Sequence, residues 1–134
     1  MQFLETAFPE HKYEFSNNRR VPKSEKDLEM KAYRPDFLFT EVLIKNGVSW
    51  RVILEVDEFQ HRGLRYECDK ERMSDIAAAL QLPVVFIRWN PDGKGVSIGD
   101  KYLRLEKEIR KAFVTPPLKS VHNYQAVYLF YKLK

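Results

Sequence analysis

Cysteine is almost missing from this chain, and the single Cys68 excludes an internal disulfide. Only three histidines accompany it, so a structural zinc site built from four Cys and His ligands is not expected. No apolar run approaches the roughly 20 residues that span a bilayer. The N-terminus also lacks the basic and apolar regions of a secretory signal. These absences set the expectation of an intracellular protein, cytoplasmic or nuclear, with no membrane partner. Internal repeats and low-complexity segments are missing too.

What is present is the balance of an ordinary globular domain: 44% apolar and 31% charged residues in a chain of 134. That length suits one domain, 1–134, with its own core. Lys and Arg exceed Asp and Glu by four, with a sequence pI near 9.1, a mild excess that suits a polyanion. Basic residues gather at Arg19, Arg20, Lys23 and Lys26 and again at Lys101, Arg104, Lys107, Arg110 and Lys111. Many acids lie among apolar residues between them. Basic flanks around a carboxylate-rich centre suit an enzyme holding a phosphate backbone around a metal. Solvated surface charge is the plainer account of each cluster.

Periodicity orders the elements. Phe3, Leu4, Ala7 and Phe8 have helical spacing, ended by Pro9. So short a helix is marginal alone, which suggests part of a longer protein or an engineered start, and hence a domain fused to or acting with another. A short strand is expected at Tyr13–Phe15 and a polar loop from Ser16 to Lys31. Phe37–Ile44 and Trp50–Asp57 read as strands joined by an Asn46-Gly47 hairpin turn. A helix from Glu67 carries Met73, Ile76, Ala77 and Leu80 on one face and stops before Pro83. Val84–Trp89 is an apolar strand, with Trp89 assigned to the core, and Asn90-Pro91-Asp92-Gly93 is a turn. A second helix, Lys101–Phe113, presents Leu103, Leu105, Ile109 and Phe113, and a last strand covers about Tyr124–Leu133. The expected fold class is α/β, a mixed β-sheet flanked by helices with a parallel strand–helix–strand crossover.

The chemistry centres on Arg51-Val-Ile-Leu-Glu-Val-Asp57. Strand alternation puts Val52, Leu54 and Val56 on one face, Glu55 and Asp57 on the other. Acids are depleted in strands, and an unpaired buried carboxylate is costly. Two on one face of an apolar strand call for a partner, and a divalent cation is one. If the hairpin pairs as read, Asp36 at the start of the first strand approaches Glu55 and Asp57 at the end of the second. Three such carboxylates describe a Mg²⁺ or Mn²⁺ site acting on phosphate. The alternative is a set of surface salt bridges to Arg34 and Arg51. His61, the one histidine near the acids, suits proton transfer, and Gln60 suits orienting water or binding metal.

Arg34-Pro35-Asp36 followed by Ile53-Leu54-Glu55-Val56-Asp57 resembles the Pro-Asp…(Asp/Glu)-x-Lys pattern of restriction-endonuclease-like nucleases, with Asp57 where that family usually has lysine. Residues 34–93 are similar to a branch related to very-short-patch-repair and homing endonucleases, through Leu54-Glu-Val-Asp-Glu-Phe-Gln-His61, Tyr66 to Arg72, and Val85 to Asp92. The resemblance implies a restriction-endonuclease-like core and a metal-dependent DNA endonuclease. It implies Asp36, Glu55 and Asp57 as metal ligands, Gln60 and His61 completing the catalytic set, and Arg72 and Arg88 as supporting residues, structural or phosphate-contacting. It also implies a further acid on an N-terminal helix, for which Glu5 is the candidate.

The missing lysine motivates a second reading, an inactive nuclease-fold module that binds nucleic acid. A third, an interaction protein using the aromatic last strand, explains Tyr124, Tyr128 and Phe130 but not the acids. That strand and the helix after 101 are the two surfaces offered for a homodimer. Gly93, Gly95 and Gly99 lack the strand–turn–helix setting of a dinucleotide loop, and Cys68 has no evident histidine partner.

Overall fold

The computed structural model describes residues 2–15, 35–56, 66–118 and 123–131. It is α/β: a six-stranded mixed sheet with helices on both faces. In chain order the elements are α1 (Gln2–Ala7), β1 (Tyr13–Phe15), β2 (Phe37–Phe39), β3 (Leu43–Lys45) and β4 (Val48–Val56). Then come α2 (Tyr66–Leu80), β5 (Val84–Trp89), α3 (Ile98–Val114) and β6 (Tyr124–Leu129). Strand order is β1-β2-β4-β5-β6, with β3 paired to the first half of β4. Among the described residues no helix is long and apolar enough to cross a membrane.

The hairpin forms at Asn46-Gly47, both at positive φ (52° and 78°), as a primed turn requires. Its first arm is not one strand, however. β3 pairs Leu43 with Trp50, whereas β2 pairs Phe37 with Leu54. Two extra residues are therefore taken up around Thr40-Glu41-Val42. An uninterrupted hairpin would set Asp36 opposite Asp57; the interruption moves it opposite Glu55. Because the slip is two residues, each side chain keeps its face. Arg51 stabilises the break by donating Nη2 to the Phe39 carbonyl at 3.1 Å.

The other expected elements form with small changes. The crossover β4–α2–β5 is parallel, with Glu55 beside Arg88, and β6 joins β5 in parallel. α2 ends at Leu80, where Gln81 takes φ 59° ahead of Pro83. α3 begins at Ile98 rather than Lys101, because Ser97 caps it by accepting from Asp100 N at 3.2 Å. Leu103 was expected on its inner face but is 64% exposed. It lies about 200° around the helix from Leu105, and Leu105, Ile109 and Ala112 form the buried stripe.

The sheet separates two apolar layers. Phe37, Phe39, Trp50, Val52, Leu54, Val85, Ile87, Trp89 and Leu129 pack with α1 and α3. Leu38, Ile53, Val84 and Phe86 pack with Met73, Ile76 and Ala77 of α2. Trp50 ties β4 to α3 by donating Nε1 to the Ala112 carbonyl at 2.8 Å. Trp89 is core, as read.

The carboxyl ends of β5 and β6 are locked together. Buried Asn90 donates Nδ2 to the Phe130 carbonyl at 3.2 Å and accepts from Asp92 N at 3.0 Å, making the turn expected there. A Cβ on Gly93 would stand 2.8 Å from both Cβ and O of Phe130. Gly93→Ala should therefore lower stability by about 1–3 kcal/mol, read as a lower urea midpoint at unchanged slope.

Candidate functional site

Alternation decides which side chains meet. Glu55 lies two residues beyond Ile53 on the α2 face of β4, and Arg88 lies two beyond Phe86 on β5. Asp36 immediately precedes β2, and the β2–β4 register, continued by one residue, carries it opposite Glu55, whose charge it feels. The Asp36 carboxylate is fixed there: Oδ2 accepts from Val56 N at 2.9 Å. Tyr128 of β6 registers with Arg88. Glu55, Arg88 and Tyr128 thus form one row across β4, β5 and β6, near their carboxyl ends, with Asp36 beside it just ahead of β2. Ligands of open α/β sheets characteristically bind outside those ends.

α2 completes the row from above. Arg72 shares a helical stripe with Ile76 and Leu80 at steps of four residues, so core packing aims it at the sheet. Its Nη1 donates to Glu55 Oε1 at 2.7 Å. Glu55 is only 3% exposed. Burial lifts its carboxyl to about 7, against the pull of Arg72; Asp36 pushes the same way as burial, and Arg88 opposes it. Two arginines do not fully compensate this carboxylate. Further positive charge would stabilise its ionised form.

That is the test of whether a divalent cation fits. The donors are hard carboxylate oxygens, on β4 and just before β2, of the kind Mg²⁺ and Mn²⁺ take, and they lie beside the two arginines that already face Glu55. Among the described residues no group of three His, Cys, Asp or Glu side chains is placed to hold an ion. Asp57, Gln60 and His61, the other expected members, lie outside the described residues, as does Arg34.

Several expectations change on contact with the geometry. Glu55 is buried and paired with Arg72, not engaged in a surface salt bridge with Arg51, whose guanidinium serves the Phe39 carbonyl. Arg88 is 2% exposed, so of its two expected roles burial fits the structural one. Arg72 retains a quarter of its side-chain surface and can face a ligand. Glu5 does not join the acids: α1 packs on the opposite face, where Glu5 accepts from the Tyr13 hydroxyl at 3.4 Å. The basic cluster after residue 100 is on that face too. Lys101 donates to the Pro91 carbonyl, while Arg104 pairs with Glu108 and Arg110 with Glu106. The cluster at 19–26 lies outside the described residues.

The sequence reading missed two things here. It treated Tyr128 only as a strand aromatic, although counting two by two from Tyr124 puts it on the α2 face. It also gave Arg72 no specific partner, although its place on the inner stripe of α2 signalled one. Comparison of the chain with protein-family models, with curated proteins and with solved structures finds no match.

Proposed function

We propose that this chain is a metal-dependent DNA endonuclease with a restriction-endonuclease-like core, in which Asp36, Glu55 and Asp57 hold Mg²⁺ or Mn²⁺. The observation that carries the proposal is the placement of Asp36 beside a buried Glu55 whose charge is under-compensated. Stability alone does not favour such a carboxylate, because a neutral side chain of the same shape would cost less. Bound there, a divalent cation supplies Lewis-acid activation of water and neutralises charge developing on the phosphodiester. The chain's own residues do the rest. The Val56 amide fixes the Asp36 carboxylate, and Arg72 orients Glu55 and favours its ionised form. Gln60 and His61 are proposed to orient water and move its proton. The mild basic excess suits backbone binding without base readout.

The direct Arg72–Glu55 bond favours a second reading, an inactive nuclease-fold module in which the arginine takes the place of a cation. One experiment separates them. Wild-type protein and Asp57→Ala are incubated with supercoiled plasmid in Mg²⁺, Mn²⁺ or EDTA, and nicking is followed on a gel. The endonuclease reading expects cutting by the wild type alone, and only with metal. No cutting, together with no heat of Mn²⁺ binding by calorimetry, would establish the inactive module instead.

A further inference from the structure

A slip of two residues leaves each β2 side chain on its own face. Alternation therefore does not distinguish the register that sets Asp36 opposite Glu55 from the one that would set it opposite Asp57. Contacts from outside the hairpin make the choice. The β1–β2 register, Tyr13 opposite Phe39 and Phe15 opposite Phe37, continues past the end of β2 to Lys12 opposite Thr40 and His11 opposite Glu41. Thr40 N donates to the Lys12 carbonyl at 3.1 Å, and His11 Nδ1 lies 2.8 Å from Glu41 Oε2. A carboxylate only accepts, so Nδ1 carries the proton of this bond. The segment that breaks the pairing with β4 is thus held by the chain entering β1.

His11 is anchored in turn. Its ring stacks on Phe113 in the last turn of α3, centroids 4.2 Å apart at 23°, and meets the Phe8 ring edge to face at 6.3 Å. Cations on the neighbouring elements have other partners. Arg110 lies over Phe8 and donates to Glu106 and to the Ala7 carbonyl, while Lys45 donates to the Val114 carbonyl. Lys111, also in the last turn of α3, is exposed. On its own segment Glu10 and Lys12 flank His11, and the Tyr13 hydroxyl is bonded to Glu5. Glu41 is the charged group that the ring bonds. An exposed ion pair contributes little by itself, and Glu41 keeps half of its side-chain surface. Two registers with the same alternation need only a small bias, however, and stacking has already fixed one partner.

We propose that His11 and Glu41 form a proton-sensitive latch on this segment, with His11 a positioning residue that keeps Asp36 opposite Glu55. Protonation of the imidazole turns the bond into an ion pair, roughly twice as strong as the neutral form. The latch tightens as pH falls through the range in which imidazoles gain charge. The inference concerns the site on which the endonuclease reading rests, but its test involves neither cleavage nor metal, so each can fail alone.

Hydrogen exchange of the Val56 amide, which donates to Asp36 Oδ2, reports the placement of Asp36. It is followed by NMR in metal-free protein at about pH 5.5 and about pH 8, on either side of the imidazole range. At the lower pH Glu41→Ala should speed Val56 exchange about tenfold over wild type, while amides of the β4–β5 ladder keep their rates. At the higher pH the factor should shrink to about threefold. Glu55 titrates over the same span, but it does so in both proteins and cancels in the ratio. Glu41→Gln keeps an acceptor without the charge, so it should match wild type at the higher pH and exchange faster at the lower. Equal acceleration of Val56 and the ladder amides would reveal a contact that stabilises without positioning, and would overturn the latch. A Val56 rate indifferent to Glu41, or a factor identical at both pH values, would overturn it as well.

Discussion

Glu55→Gln should sharply reduce metal-dependent cleavage and at the same time make the metal-free protein more stable at pH 8. The two effects share one cause. Burial raises the Glu55 carboxyl to about 7 in the folded protein, whereas an unfolded chain leaves it near 4.5. Below about 4.5 the group is neutral in both states and costs nothing. As pH rises from about 4.5 to 7 the unfolded chain ionises while the folded state still holds its proton, and above 7 the folded state carries a charge that the unfolded chain holds more easily. Stability is therefore lost across this window, by about 3 kcal/mol in all. Gln keeps the shape without the charge. Urea unfolding should show wild type and variant close together at pH 4.5, with the variant ahead by about 1–3 kcal/mol at pH 8, less whatever the lost ionic bond to Arg72 takes back. Cleavage in Mg²⁺ should fall roughly a thousandfold, about 4 kcal/mol of transition-state stabilisation. A carboxylate kept for structure would behave oppositely, and a variant less stable at pH 8 would remove the argument for function. Loss of activity with gain of stability is the signature of a residue retained for chemistry.

How far the site could be read in advance depends on what kind of physics each part obeys. The Asn46-Gly47 turn, the pairing of Phe37 onward with the strand ending at Val56, and the inner faces of α2 and β5 follow from local rules. So does the common face of Asp36 and Glu55, since a slip of two preserves parity. The partner within that face does not follow. Thr40-Glu41-Val42 contains neither glycine nor proline, so nothing local marks the break that exchanges Asp57 for Glu55 opposite Asp36. The αL turn at Phe130 is equally hidden. A phenylalanine there is locally unfavourable, and tertiary contacts from Asn90 and Gly93 impose it. The α3 misreading is of another kind. Lys101 and Glu108 are buried along with Leu105, Ile109 and Ala112, so a search for apolar residues alone found Leu103 and overlooked two charged members of the stripe.

The second large effect concerns Arg72. Arg72→Met retains much of the side chain's bulk over Ile76 while removing the 2.7 Å bond to Glu55. Breaking a buried pair from one side usually costs about 3–5 kcal/mol, because the remaining charge is stranded. Glu55 has a way out that limits the loss. Without the arginine its carboxyl rises further still, since Arg72 is the larger of the two influences holding it down. At neutral pH it then takes up a proton rather than remaining a bare anion. The destabilisation should accordingly depend on pH: under about 1 kcal/mol at pH 4.5, where Glu55 is neutral with or without its partner, and about 3 kcal/mol at pH 8. Combining Arg72→Met with Glu55→Gln should remove that pH dependence, and the coupling energy from the double-mutant cycle isolates the pair. Mn²⁺ then separates the roles of the arginine. If Arg72 stands in for a cation, Arg72→Met should bind Mn²⁺ more tightly than wild type by calorimetry at pH 8, because the ion no longer competes with a guanidinium. Should it instead position Glu55 for the metal, affinity should fall about 10- to 100-fold, as it does when the groups that orient a ligand are removed. The endonuclease proposal requires the second result.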